Sequence, residues 1–215
     1  MNDPKNYSSI SVEQVLELYE LPMNELMARA AQVHQENFPE GDIELAKRLV
    51  DHAVAAGVDC AKFQMRNVKQ LYKNAGDSND ASVDLGAQYT MDLLSKFQLS
   101  NDQLYEVFDY CKAKGVMPLC TPWDQDSLIA LESYGMPAYK VASADFTNYE
   151  LLEAMAKTGK PLICSTGMSS EVEIKNTVAF LDRMGADFVL LHCNSTYPTP
   201  FKDVNLKYLS RLKKI

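Results

Sequence analysis

The sequence lacks several patterns that identify whole classes of protein. No stretch approaches the roughly 18 consecutive apolar residues of a membrane span, and the N-terminal MNDPKNYSSIS has none of the regions of a secretory signal peptide. No G-x-G-x-x-G or G-x-x-x-x-G-K motif follows a strand-like run, which argues against a nucleotide-binding protein. These absences favour a cytoplasmic protein with no membrane partner.

Basic residues are also scarce relative to acidic ones. The chain has 21 Lys and Arg against 29 Asp and Glu, a formal net charge of -8 and a pI near 4.9. This balance argues against nucleic acid as a partner, so an anionic ligand would have to be held by local cations and backbone amides. The five cysteines form no C-x-x-C motif. Cys120, Cys164 and Cys193 lie in apolar runs, which predicts buried, reduced thiols.

An alternation of apolar runs and helical periodicity is what the sequence does contain. Hydrophobic residues make up 47% of the 215 residues, enough for one domain with a sizeable core. From residue 43 onward, helical segments separate five strand-like runs: VDCAKFQ, VMPLCTP, PAYKVAS, PLICSTG and DFVLLHC. This order predicts an α/β fold with a parallel sheet. Two of the helical segments begin with capping-box pairs, Ser100 with Gln103 and Ser170 with Glu173, and NLKYLSRLKKI predicts one more helix. The pattern leaves open whether the sheet is doubly wound or belongs to a (β/α)8 barrel.

The first 40 residues break this pattern. They contain the amphipathic segments SVEQVLELYE and ELMARAAQVHQ, which predict a helical N-terminal extension over 1–40, followed by the α/β domain over 41–215. A second break is the long connection over 66–98. A long excursion after a strand is typical of a functional loop or lid.

Polar residues follow the strand-like runs at their C-terminal ends. In parallel α/β folds these ends share one edge, and that edge carries the functional site. Lysines and hydroxyls without acidic residues among them indicate a site for a small, multiply charged anion such as phosphate. The candidate residues are Lys62, Gln64, Thr121, Lys140, Ser143, Ser165 and Ser195.

Neighbouring polar residues have simpler interpretations. Asp124 and Asp126 are predicted to begin a helix, and His192 to be a hydrogen-bonded core histidine rather than a ligand.

Five motifs, in order, resemble those of the sialic acid synthase family. They are KFQ at Lys62–Gln64, CTPWD at Cys120–Asp124, YKVASADFTN at Tyr139–Asn148, GKPLICSTGM at Gly159–Met168 and LLHCNSTYP at Leu190–Pro198. That family comprises phosphoenolpyruvate-dependent synthases of nonulosonic acids such as N-acetylneuraminate, legionaminate and pseudaminate. The resemblance covers about residues 41–215 and implies a (β/α)8 barrel, present here in part, with about five parallel strands.

The resemblance also implies roles for individual residues. Lys62 and Lys140 would be catalytic and, with Thr121, Ser143 and Ser165, would hold the phosphate and carboxylate of phosphoenolpyruvate. Ser195 matches a position that contacts phosphoenolpyruvate, and Gln64 and Tyr197 would face the acceptor, an N-acetylmannosamine-like aldose.

Some family features are missing from the sequence. The family's first strand ends in a motif like AEIG-x-N-H-x-G-D, where this chain reads VHQENFPEGD. The resemblance implies that the intact enzyme uses a divalent metal, Mn²⁺ or Mg²⁺, and is a homodimer. Its metal-binding histidines belong to later strands, so we expect no metal ligands in these 215 residues.

Two other functions are compatible with the residues. Lys140 or Lys62 could form a Schiff base in an aldolase, although no strand-end carboxylate presents itself as a proton relay. Alternatively, the chain could be a non-catalytic fragment that binds a phosphosugar or another anion.

Overall fold

The computed structural model describes residues 43–68, 94, 97–196 and 198–215. The N-terminal extension predicted over 1–40, most of the connection over 66–98, and Tyr197 lie outside these residues, so the predictions made for them stay predictions. Within the described residues, no helix is both long enough and apolar enough to cross a membrane.

Five parallel strands form one sheet in the described residues. They are β1 (Cys60–Met65), β2 (Met117–Pro122), β3 (Tyr139–Val141), β4 (Leu162–Ser165) and β5 (Phe188–Leu191). Their order across the sheet is the same as their order along the chain. Each predicted strand-like run overlaps one of them, and β1 extends one residue beyond its run, to Met65.

Six α-helices have both ends within the described residues: α1 (Ile43–Ala55), α2 (Asn101–Ala113), α3 (Gln125–Tyr134), α4 (Tyr149–Lys157), α5 (Glu171–Arg183) and the short α6 (Leu209–Leu212). Both predicted capping boxes are present. The hydroxyl of Ser100 accepts from the backbone of Gln103 at the start of α2, and Ser170 and Glu173 do the same at α5. These caps satisfy amide groups that the first helical turn leaves without partners.

The strand order resolves the choice that the residues left open. In a doubly wound sheet the order reverses at a switch point, and helices cover both faces. Here every strand is added on the same side of the previous one. Because parallel crossovers are almost always right-handed, all the helices then lie on one face. This is the arrangement of a (β/α) barrel, present here as five strands.

The hydrophobic core lies between the sheet and its helices. Tyr139, Val141, Leu162 and Cys164 face this core from β3 and β4, and all four are fully buried. They pack in one cluster with side chains from α2 to α5, including Phe108, Leu131, Leu152, Ile174 and Leu181. This layer fixes the backbone of the central strands, and therefore the positions of the residues that follow them.

The opposite face of the sheet carries exposed side chains. Since side chains alternate along a strand, residues flanking the core-facing ones point to this second face. Met117 of β2 and Val189 of β5 are 52% and 54% exposed there. Lys62 and Gln64 are exposed on β1, whereas Met65 is buried on the helix side. We call this surface the helix-free face.

Candidate functional site

The strand register places the predicted site residues along the C-terminal edge of the helix-free face. Gln64 of β1 lies opposite Thr121 of β2. Because Cys120 lies opposite Tyr139, the next residues along the two strands, Thr121 and Lys140, are also neighbours. Lys140 lies opposite Ile163, two residues before Ser165 in β4. One edge therefore gathers side chains from four strands.

Lys140 is anchored at this edge by two hydrogen bonds. Its Nζ donates to Ser165 Oγ and to the carbonyl of Val141, each at 2.5 Å. The side chain is partly buried, and this burial lowers the pKa of its ammonium group. The charge of Lys62 lowers the pKa of Lys140 further. Two cations therefore lie near enough to repel each other.

No carboxylate of the described residues forms an ion pair with either lysine. The described ion pairs involve other cations, such as Lys160 with Glu132 at 2.6 Å. A partly buried ammonium without a carboxylate partner leaves positive charge in a region of low dielectric. An anion bound at this edge would neutralise that charge.

The loops that follow β3, β4 and β5 meet at Gly167. Its backbone N–H donates to Ser143 Oγ at 3.2 Å. A Cβ on Gly167 would lie 3.0 Å from both the carbonyl oxygen of Cys193 and Ser195 Oγ. The absence of a side chain therefore lets Ser195 and the backbone of Cys193 approach Gly167 closely, while its N–H holds Ser143.

Cys193 departs from the prediction of a buried thiol. It is only half-buried, and its Sγ donates to Ser165 Oγ at 3.3 Å. Cys120 and Cys164 are buried as predicted, and burial raises the pKa of each thiol to about 12. The alternation of side chains along a strand could have shown that Cys193 points to the same face as Ser165. Cys193 follows Leu191 by two residues, and Leu191 lies opposite Ser165.

Gln64 has partners that the sequence did not reveal. Its Oε1 accepts hydrogen bonds from Trp123 Nε1 at 3.2 Å and from the guanidinium of Arg66. Arg66 in turn lies over the Trp123 ring, 4.9 Å from its centre. With the oxygen engaged, the amide nitrogen of Gln64 is the end available to a ligand.

The simpler interpretations of two other polar residues are confirmed. Asp124 begins α3 and accepts the backbone N–H of Ser127 at 2.8 Å. The ring of His192 pairs with the carbonyl of Val204 at 3.0 Å and lies beside Tyr208. The second carboxylate oxygen of Asp124 accepts the backbone N–H of Asn67 at 2.6 Å, so both residues are engaged within the fold.

The described residues do not fit a metal ion. Within this part of the chain, no group of three or more His, Cys, Asp or Glu side chains could hold one. The chemistry of the strand-end edge is instead that of cations and hydroxyl donors, which suits an anion.

The chain is similar to a described family and to several known proteins. The family model described as the NeuB family matches residues 49–215. An uncharacterised protein of Methanocaldococcus jannaschii is 40% identical over 81% of this chain and 49% of its own length. The N,N'-diacetyllegionaminic acid synthase of Campylobacter jejuni is 32% identical over 80% of this chain and 53% of its own.

A solved structure shares the fold. The N-acetylneuraminic acid synthetase of Leptospira borgpetersenii, crystallised with citrate, has a TM-score of 0.71 and 29% identity. The match covers 81% of this chain and 57% of that one. The chain therefore spans about half the length of the curated relatives it matches.

Proposed function

The chain belongs to the NeuB family, and on that basis we propose that its strand-end edge binds phosphoenolpyruvate for the synthesis of a nonulosonic acid. The acceptor would be an N-acetylmannosamine-like aldose and the second product inorganic phosphate. The observation that carries this proposal is Lys140, a partly buried ammonium bonded to Ser165 Oγ and paired with no carboxylate of the described residues.

The proposed role of the lysines is to attract and orient the substrate. Phosphoenolpyruvate carries a phosphate and a carboxylate, and Lys62 and Lys140 supply two neighbouring positive charges. The mutual repulsion of these cations, which contributes to the lowered pKa of Lys140, is relieved when an anion binds between them. Hydroxyls at Thr121, Ser143, Ser165 and Ser195 add directed donors.

The proposed reaction forms one carbon–carbon bond. The methylene carbon of phosphoenolpyruvate attacks the aldehyde carbon of the open-chain sugar, whose oxygen takes up a proton. Water then adds to the cationic carbon that bears the phosphate, and the carbon–oxygen bond to phosphate breaks. The residues at this edge contribute by holding the charged reactant in one orientation and by stabilising negative charge.

We propose that Gln64 faces the acceptor sugar, with Tyr197 as a second contact. Trp123 and Arg66 hold the Gln64 oxygen, so its amide nitrogen is positioned to donate to an acceptor hydroxyl or carbonyl. The divalent cation implied by the family finds no fitting ligand set among the described residues, and no step above is assigned to it.

Calorimetric titration of the 215-residue chain tests the binding step. We expect phosphoenolpyruvate to bind and sulfate at equal concentration to bind more weakly, because it lacks the carboxylate. Release of phosphate is then measured with N-acetylmannosamine and Mn²⁺ present. Binding without any phosphate release would favour the non-catalytic anion-binding alternative for this chain.

A Schiff-base aldolase is the second candidate, and one observation favours it. Burial lowers the pKa of Lys140, which increases the fraction of neutral, nucleophilic amine. Its Nζ nevertheless donates to two oxygen acceptors, an arrangement that suits an ammonium group. Borohydride reduction in the presence of pyruvate separates the two functions, since a covalent adduct on Lys140 would refute the phosphoenolpyruvate assignment.

A further inference from the structure

The hydroxyl of Ser165 already has its acceptor positions filled. A serine hydroxyl has two lone pairs and one hydrogen. Lys140 Nζ donates to Ser165 Oγ at 2.5 Å, and Cys193 Sγ donates to it at 3.3 Å. A lysine ammonium can only donate, so the first bond has a fixed direction. With both lone pairs engaged, Ser165 has only its own proton left to offer.

These are the two hydrogen bonds of Ser165 Oγ among the described residues, and neither of them uses the serine proton when the thiol is the donor. Thr166, the next residue, provides the contrast. Its hydroxyl donates to the carbonyl of Leu191 at 2.9 Å and is therefore used within the fold. Ser143 resembles Ser165, because its Oγ accepts the N–H of Gly167.

We infer that Cys193 is a positioning residue for the anion site, because its S–H fills the second lone pair of Ser165 and so directs the serine proton to the ligand. The inference rests on the proposed function, in which that ligand is phosphoenolpyruvate. Without the thiol donor, Ser165 can rotate and accept a hydrogen bond from water on the ligand side. The site then loses a fixed donor, although every residue that contacts the anion remains.

Titration of phosphoenolpyruvate and inorganic phosphate into variants of the 215-residue chain tests this role. Cys193→Ala should weaken binding about fivefold, the size of one neutral hydrogen bond. Cys193→Ser restores an O–H donor at the same position and should bind within about twofold of the wild type. In the Ser165→Ala background, Cys193→Ala should cost nothing further, because its target is gone.

Two controls separate positioning from folding. Cys193→Val fills the volume of the thiol but provides no hydrogen-bond donor. It should lose as much affinity as Cys193→Ala, including the case in which the smaller alanine destabilises the protein. Thr166→Val removes a hydroxyl that already donates within the fold. The carbonyl of Leu191 still accepts the backbone N–H of residue 166, at 3.2 Å. We expect Thr166→Val to bind like the wild type.

The outcomes are distinguishable. If Cys193→Ser loses as much affinity as Cys193→Ala, the thiol contributes shape and the inference is wrong. If Cys193→Ala binds as tightly as the wild type or more tightly, Ser165 donates to the sulfur and the inference is again wrong. A wild-type chain that binds neither anion would refute the proposed function, and the inference with it.

Discussion

Replacing Lys140 with methionine separates ligand binding from folding more clearly than any other single change at this edge. The substitution keeps the length and apolar character of the side chain and removes its charge. An ammonium has three N–H donors, and two of them bond Val141 O and Ser165 Oγ at 2.5 Å. One donor is left for an anion.

The expected loss follows from that count. One charge-assisted hydrogen bond to an anion contributes about 1.5–3 kcal/mol. A loss of about 2 kcal/mol corresponds to roughly 30-fold weaker binding. The fold should not suffer in proportion, because burial of the ammonium lowers its pKa and opposes charging. We expect the midpoint of thermal unfolding to stay within about 3 °C.

The assay is calorimetric titration with phosphoenolpyruvate at pH 7.5, accompanied by thermal unfolding. Lys160→Met is the matched control: it makes the same charge change before the start of β4, where Lys160 pairs with Glu132 at 2.6 Å. We expect the control to keep its affinity within about twofold. A Lys140→Met variant that folds and binds as tightly as the wild type would refute the assignment of Lys140 to the anion.

Three further predictions concern pH, sterics and stability. Phosphoenolpyruvate affinity should fall as pH rises from 8 toward the pKa of Lys140, which burial places below 10.5, because deprotonation removes the positive charge; titrations at several pH values check this, and Lys140→Arg should move the fall to higher pH. Gly167→Ala should weaken binding about tenfold or more, because its Cβ would lie 3.0 Å from the Cys193 carbonyl; calorimetric titration beside Met168→Ala, which alters an exposed neighbour, measures the difference. Asp145→Asn should raise the midpoint of thermal unfolding at pH 7 by about 2 °C. Burial raises the pKa of this carboxyl, so its charged form destabilises the fold above pH 3.8. An equal gain near pH 3, where the carboxyl is protonated, would contradict that explanation.

Features with local causes could be predicted from the sequence. The capping boxes of α2 and α5 depend on residues three positions apart, and both were identified from the letters alone. The apolar runs located all five strands, and the alternation of helix and strand predicted their parallel direction. Strand parity also accounts for the exposure of Lys62 and Gln64.

Element boundaries were less predictable. The run PAYKVAS predicted a seven-residue strand, but β3 covers only Tyr139–Val141, because a 3₁₀ turn begins at Ser143. The segment NLKYLSRLKKI predicted one helix and forms a 3₁₀ turn followed by α6. Asn205, with a positive φ of 47°, precedes that turn.

Contacts between residues distant along the chain could not be predicted from the sequence. The position of Lys140 at a strand end was predicted, but its bond to Ser165, 25 residues away, depends on strand register. The partners of Gln64 were missed for the same reason, since Trp123 is 59 residues further along the chain. No local pattern encodes such distances, which arise only when the sheet forms.

The close contact at Gly167 has a thermodynamic consequence for any ligand of this edge. Loops from three successive strands are already in contact there, so their conformational entropy is lost when the chain folds. A ligand that arrives later has little more of the backbone to order. Its association should therefore lack the large entropy penalty of coupled folding and binding, and the strand-end hydroxyls should act as a preformed receptor.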